Sequence, residues 1–298
     1  MPVIATPLPQ RLRSPGRMEL NRCSWQAAGL TGWWPLGSPD GPIIRDLSGY
    51  GNHLLVTRDD GGMGTDPWSG AWSAPDGRNS LDMSGSINGT AAFYAKTEPG
   101  LPVSAECTVS FWHRPYVSVG TQTLFALTRY TSTGQNFYLN QETYYSRGRV
   151  QPFWVNEAGS YDSFSWTDNS FVSRSEEWQL ITLVRRGGTG ALYADLYKNG
   201  DLYLSQGAKS TDPPTGTDYK MYVGAYRDGS LSAPSGGHTD DLRLYNRSLG
   251  AAEVKAIYLD TKDGSYGDLA RQPTRFHHLS ASAAVGKGSR TAMFLGVE

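Results

Sequence analysis

The sequence predicts an all-β protein, a sandwich of antiparallel strands with one short helix and extended terminal arms. Glycine occurs 35 times in 298 residues, aromatic residues (12%) are frequent and charged residues (18%) are few, a composition typical of short strands joined by tight turns. Several segments alternate with the period of two that a β-strand requires. Between two such segments, Asn199-Gly200 supplies the positive φ angles of a type I′ hairpin.

The alternation places individual residues on the faces of the predicted strands. In CTVSFW, residues Cys107, Val109 and Phe111 share one face. We interpret Cys107 as a small buried apolar residue, because Cys23 and Cys107 are too few for a disulfide framework in a chain of this size. The predicted strands are CTVSFW (107–112), WQLITLVRR (178–186, nearly continuously apolar and so covered on both sides), the hairpin ALYADLYKNGDLYLS (191–205), KMYVGAY (220–226) and DDLRLYN (240–246).

One short helix is predicted after the last strand. In GAAEVKAIYLD (250–260), Val254 and Ile257 have helical spacing. Glu253 lies three residues after Gly250, as in half of a capping box.

The two ends of the chain show no period of a strand or a helix. Residues 1–28 are rich in Pro and Arg, and residues 263–298 are rich in Ser, Ala and Gly with an apolar tip. The sequence therefore predicts a sandwich domain over residues 29–262 between two arms. The residues expected to make assembly contacts are Arg11, Arg13, Arg17, Arg22, Met293, Phe294, Leu295 and Val297.

Charge and hydropathy argue against two classes of partner. The formal net charge is −1, so the chain has no electrostatic footprint for nucleic acid. No apolar run approaches the roughly 20 residues of a membrane-spanning helix, and no membrane insertion is expected. The first twenty residues mix prolines with arginines and lack the apolar core of a secretory signal, so secretion through such a signal is not expected.

The order of these segments resembles a known family. From GLTGWWPL (29–36) through IIRDLSGYGNHL (43–54) to HTDDLRLYNRSLGAAEVKAIY (238–258), the chain is similar to laminin-G-like, concanavalin A-like jelly-roll domains over roughly residues 29–260. The last of these segments is the most specific. The resemblance implies a sandwich of two antiparallel sheets, one of them curved. Gly250 stands where the family usually carries Ser as the helix N-cap.

The polar loop RDLSGYGNHL, residues 45–54, has two interpretations. One is an Asx-type turn, in which Asp46 accepts backbone N–H bonds and the glycines adopt positive φ. The other comes from the resemblance, which implies that some members bind a structural calcium ion here, near the start of the last strand. Calcium takes about six to eight oxygen ligands. The candidate ligands are Asp46, Ser48, Asn52, Asp240 and Asp241.

Sandwiches of this kind include glucanases, which carry carboxylates at alternate positions of one strand. No such spacing occurs in this sequence. Glu176-Glu177 and Asp240-Asp241 are adjacent pairs, whose members face opposite sides of a strand. The sequence therefore predicts that the protein is not an enzyme.

Two non-catalytic functions are compatible with the sequence. Basic, aperiodic arms beside an acidic body favour a structural protein of a virion surface, whose arms contact other copies of the chain or other virion proteins. Aromatic residues in polar, loop-like stretches indicate the alternative, a secreted or surface module that binds carbohydrate, and a virion protein can also bind cell-surface glycans. The candidate sugar-stacking residues are Trp68, Trp72, Trp154, Tyr161 and Trp166.

Overall fold

The fold is taken from a computed structural model. It describes residues 18–36, 43–58, 80–82, 93–98, 100–115, 121–129, 136–142, 148–155, 161–163, 167–168, 171, 177–188, 191–209, 215–224, 237–263 and 265–271.

Strands account for most of the regular structure. The first nine are β1 (Glu19–Leu20), β2 (Leu30–Trp34), β3 (Ile43–Ile44), β4 (Leu54–Arg58), β5 (Leu81–Asp82), β6 (Phe93–Thr97), β7 (Leu101–Val103), β8 (Cys107–Pro115) and β9 (Thr121–Thr128). The others are β10 (Asn136–Glu142), β11 (Arg149–Val155), β12 (Tyr161–Ser163), β13 (Gln179–Gly188), β14 (Ala191–Lys198), β15 (Asp201–Lys209), β16 (Gly216–Val223), β17 (Gly237–Tyr245) and β18 (Ala270–Arg271). The helices are α1 (Ala251–Thr261) and two 3-10 turns at Trp25–Ala27 and Gly267–Leu269.

The strands form two large sheets and one small ribbon. The smaller sheet has the order β15-β14-β13-β8-β17-β2, and β5 also pairs with β17. The larger sheet has the order β12-β11-β10-β9-β16-β6-β4-β3, and β7 also pairs with β16. All of these pairs are antiparallel. The predicted two-sheet antiparallel sandwich is confirmed.

The Asn-Gly hairpin has the predicted turn geometry. Lys198 at the end of β14 lies opposite Asp201 at the start of β15. The two turn residues, Asn199 and Gly200, have φ angles of +53° and +80°, as a type I′ turn requires. The Asn199 side-chain oxygen also accepts a 2.9 Å hydrogen bond from the backbone N–H of Leu180, which ties the turn to β13.

The main hydrophobic core fills the space between the two sheets. Cys107, Val109 and Phe111 all lie in it, as the alternation predicted. The ring of Phe111 packs edge to face on Phe125 of the larger sheet, with centroids 5.8 Å apart. Burial raises the pKa of the Cys107 thiol, so this residue behaves as a small apolar side chain.

A second apolar cluster covers the outer face of the smaller sheet. Trp112, Leu180 and Val184 point into it from the central strands, and α1 contributes Val254 and Ile257. Strand β13 is therefore covered on both sides, as its continuous apolar run predicted.

Helix α1 begins with one half of a capping box, as the sequence predicted. The Glu253 carboxylate accepts a 2.8 Å hydrogen bond from the backbone N–H of Gly250, which has no side chain to complete the box. The same carboxylate binds Arg247, and this hydrogen bond lowers the pKa of Glu253. Within the described residues, no helix is both long enough and apolar enough to cross a membrane.

Segments at both ends of the described chain fold onto the sandwich. Strand β1 pairs with β18, and the backbone N–H of Asn21 donates a 2.9 Å hydrogen bond to the carbonyl of Leu269. Gln26 is fully buried. Residues 18–28 and 265–271, which lie outside the predicted boundaries of 29–262, contribute side chains to the cover over the smaller sheet.

Candidate functional site

The loop between β3 and β4, residues 45–53, connects the edges of the two sheets. Strands β3 and β4 belong to the larger sheet, whereas the loop hydrogen-bonds to β2 of the smaller sheet. The Ser48 hydroxyl and the Asn52 side-chain amide both donate to the carbonyl of Thr31, at 3.4 and 3.3 Å. In return, the Trp34 indole N–H donates to the carbonyl of Asn52 at 2.7 Å. The loop therefore closes one edge of the sandwich.

Asp46 holds the backbone of this loop in place. Its carboxylate is buried and accepts three backbone N–H bonds, from Trp33 at 3.0 Å, Ser48 at 2.9 Å and Asn52 at 3.0 Å. The backbone N–H of Asp46 donates to Nδ1 of His53 at 3.0 Å. This is the Asx-type arrangement that the sequence predicted.

The other two predicted calcium ligands lie on β17. Asp241 forms a fully buried ion pair with Arg243, whose Nε and Nη2 donate to the two carboxylate oxygens at 3.0 and 2.7 Å. The Trp33 indole N–H donates to the same carboxylate at 3.0 Å. The Asp240 carboxylate accepts a 2.7 Å hydrogen bond from the backbone N–H of Asp241. The two residues lie at a β-bulge, where Asp241 has a φ of +49°.

These contacts do not suit a calcium ion. The oxygens of Asp46 and Asp241 face N–H donors, whereas a calcium site needs oxygen ligands that face the ion. The positive charge of Arg243 beside Asp241 further disfavours a second cation. Across the described ranges, no three or more His, Cys, Asp or Glu side chains are grouped so that they could hold a metal ion. Calcium binding at this loop stays an untested prediction, and these contacts argue against it.

The Arg243–Asp241 pair organises a larger buried network. Nη1 of Arg243 donates to the side-chain oxygen of Gln26 at 2.6 Å, and Nη2 donates to the carbonyl of Tyr266 at 3.2 Å. Gln26 in turn donates to Asp260 on α1 at 2.7 Å. Burial alone would lower the pKa of Arg243, but the adjacent carboxylate outweighs burial and the pKa lies above its ordinary value.

Two of the five predicted sugar-stacking aromatics fall within the described residues. Trp154 lies in β11 and Tyr161 in β12, and these strands pair at one edge of the larger sheet. The expectation that both residues belong to loops is wrong, because their backbones join the β-ladder. Trp68, Trp72 and Trp166 lie outside the described residues. Sugar binding by any of the five stays a prediction.

Arg22 is the one predicted assembly residue that the structure describes. Its side chain is exposed and its guanidinium lies against Gly49 of the loop. A β-carbon added to Gly49 would be 2.5 Å from Nη2 of Arg22. The residues outside the described ranges are Arg11, Arg13, Arg17, Met293, Phe294, Leu295 and Val297.

Tyr50 is a surface feature that the sequence analysis did not single out. Its exposed fraction, 62%, is the largest among the exposed large apolar side chains of the described residues. It lies between Gly49 and Gly51, which have φ angles of +95° and +77°, and its backbone N–H donates to the Ser48 hydroxyl at 3.3 Å. The signal that points to it is an aromatic residue between two glycines in a loop fixed by Asp46.

Together, the sandwich and its edge loop define a jelly-roll domain of the lectin type. A family profile described as the concanavalin A-like lectin/glucanases superfamily, of laminin G type, matches residues 88–255. This match covers more than half of the chain, and the chain belongs to this superfamily. A search of curated protein sequences found no match.

Solved structures with the same fold are distant in sequence. Domain 4 of the arabinanase AbnA from Geobacillus stearothermophilus, solved with arabinotriose, has a TM-score of 0.53 and 20% identity over 76% of this chain and 97% of that domain. The binding domain of Paraclostridial Mosquitocidal Protein 1 has a TM-score of 0.54 and 18% identity, over 77% of this chain and 52% of that one. The receptor-binding domain of botulinum neurotoxin mosaic serotype C/D has a TM-score of 0.54 and 14% identity, over 78% of this chain and 51% of that one.

Replacing Arg243 with Met should destabilise the protein by about 3–5 kcal/mol, because it leaves the buried carboxylate of Asp241 without its partner. Urea unfolding followed by tryptophan fluorescence measures this loss. The matched control is Lys255→Met, which removes the pair with Asp201 in which the two side chains are 39% and 75% exposed. Its expected cost is below about 1 kcal/mol. Equal losses in the two variants would contradict the central role of the Arg243 network.

Replacing Asp46 with Ala should lower the free energy of unfolding by about 2–4 kcal/mol, because three backbone N–H groups lose a charged acceptor. The turn interpretation predicts that a chelator such as EDTA leaves the melting temperature of the wild type unchanged. A ligand stabilises only the state that binds it. A chelator effect on the wild type that disappears in Asp46→Ala would instead establish a bound cation.

Proposed function

We propose that this protein is a non-catalytic glycan-binding module. The observation that carries the proposal is its membership of a superfamily of lectins and glucanases. Two similar structures support it, one solved with a bound arabinotriose and one that is a receptor-binding domain. Since one fold serves many functions, the choice between binding and catalysis has to be argued from the residues of this chain.

The described carboxylates near the edge loop support binding rather than catalysis. A glycosidase needs a pair of carboxyl groups, one on each side of the bond that it cleaves. Asp241 is fully buried against Arg243, and Asp46 is buried by three backbone N–H groups. Neither carboxylate is accessible to a sugar.

The full-length protein should bind at least one polysaccharide without cleaving it. Isothermal titration calorimetry can compare a neutral probe (arabinan), a carboxylated probe (polygalacturonate) and a sulfated probe (heparin). Incubation with each probe should release no reducing sugar. Absence of binding to all three probes would refute the glycan-binding function, and release of reducing sugar would refute its non-catalytic character.

A second candidate function is assembly into a larger particle, such as a virion surface. The observation that favours it is the pairing of β1 with β18. Because of this pairing, the described residues nearest to segments 1–17 and 272–298 lie close together, with Glu19 opposite Arg271. These two segments carry most of the predicted assembly residues, and a single neighbouring surface can receive both.

Removing residues 1–17 and 272–298 should leave a folded monomer that no longer assembles, since Gln26 and Tyr266 of the buried network are kept. Light scattering gives the mass of the trimmed and full-length proteins, and thermal unfolding checks the fold. We expect the full-length chain to form larger species than the trimmed chain. A full-length protein that is monomeric, alone and in a virion extract, would contradict assembly and leave glycan binding unaffected.

A further inference from the structure

We infer that Tyr50 and Arg22 form the contact site for an anionic saccharide, one that carries carboxylate or sulfate groups. This inference rests on the proposed glycan-binding function and adds to it a location and a class of ligand. The site is the exposed surface of the loop between β3 and β4, together with the segment that follows β1.

The Tyr50 ring is presented to solvent on a rigid support. A tyrosine ring offers an apolar face to the C–H groups of a sugar and a hydroxyl at its edge, at a low cost in side-chain entropy. The residues before and after it are fixed, because Asp46 accepts the N–H groups of Ser48 and Asn52 and the Ser48 hydroxyl accepts that of Tyr50. Such preorganisation lowers the entropic cost of binding a ligand.

Space for a ligand is available beside the ring. Both neighbours of Tyr50 are glycines, which have no side chain to cover it. A β-carbon built on Gly51 would have no atom within 4 Å from any residue other than Gly51 itself and its two neighbours in the chain. The positive φ angles of Gly49 and Gly51 disfavour larger residues at either position, so the backbone geometry itself keeps the surroundings of the ring open.

Arg22 gives the site its charge. Arg22 is exposed, and its guanidinium lies against Gly49, the residue immediately before Tyr50. A guanidinium presents a planar set of donors that binds carboxylate and sulfate-like oxygens in pairs. Arg45, at the start of the same loop, is a second exposed arginine.

The environment of Arg22 differs from that of four other arginines in the described part of the chain, which form ion pairs. Within these residues, no carboxylate forms an ion pair with Arg22, so its guanidinium is not committed to a structural contact of this kind. Arginines that do pair with an acidic side chain are Arg129 (with Asp218), Arg186 (with Asp195), Arg243 (with Asp241) and Arg247 (with Glu253).

Three substitutions test the site against the same three probes, heparin, polygalacturonate and arabinan. Tyr50→Ala should weaken the binding of every probe that the wild type binds by roughly tenfold or more. Tyr50→Phe keeps the ring and should stay within about twofold of the wild type. Arg22→Gln should weaken the two anionic probes selectively and reduce the dependence of their affinity on salt concentration.

Matched controls separate this site from general surface effects. Leu202→Ala removes another exposed side chain, 54% exposed on β15, and should not change binding. Lys255→Gln removes one positive charge from α1, as Arg22→Gln does from the site. Tyr50, Arg22 and Leu202 are exposed and Lys255 is half-buried, so melting temperatures close to that of the wild type should confirm that each variant folds.

The possible outcomes distinguish failure of the proposed site from failure of the proposed glycan-binding function. If the wild type binds a probe and Tyr50→Ala binds it equally well, the site is wrong and glycan binding stands. If Arg22→Gln and Lys255→Gln weaken heparin to the same degree, or if arabinan is the preferred probe, the anionic class is wrong. If the wild type binds none of the three probes, the proposed function and the site fail together.

Discussion

The buried ion pair between Arg243 and Asp241 is the constraint on which the arrangement of the domain depends. A buried pair of charges contributes little net stability compared with a well-packed apolar pair, but each charge left alone is costly. Arg243 uses its remaining donors on Gln26 and Tyr266, which come from opposite ends of the described chain. Both terminal segments must therefore close over the smaller sheet before the charge is fully satisfied, which disfavours partly closed arrangements.

Trp33 connects this buried network to the exposed loop. Its backbone N–H donates to Asp46, and its indole N–H donates to Asp241. Its ring also packs edge to face on Tyr266, with centroids 6.0 Å apart. The loop that carries Tyr50 is therefore held by the same residue that lines the charged centre of the domain. This explains how a surface loop with two glycines can have a defined backbone.

Local patterns in the sequence were sufficient for the Asn199-Gly200 turn, the start of α1 and six of the strands, because each depends on neighbouring residues. These strands are β8, β13, β14, β15, β16 and β17. The buried network could not be predicted in this way. Gln26 and Arg243 are 217 positions apart, and Gln26 lies in a segment without any period. The strand that contains Trp154 has a different weakness as a sequence signal, because Pro152 interrupts its apolar residues and proline within such a run argues against a strand. The local pattern of an aromatic residue between two glycines marks the position of Tyr50, but its exposure depends on the fold around its loop.

The pairing of β1 with β18 also bears on how such a domain can be combined with other proteins. The first and last strands of the described residues are neighbours, about 5 Å apart. A surface loop of a host protein can accept such a unit without stretching, because the two junctions are no further apart than the ends of a tight turn. The same geometry makes the domain suitable for insertion within another chain as well as for fusion at either end.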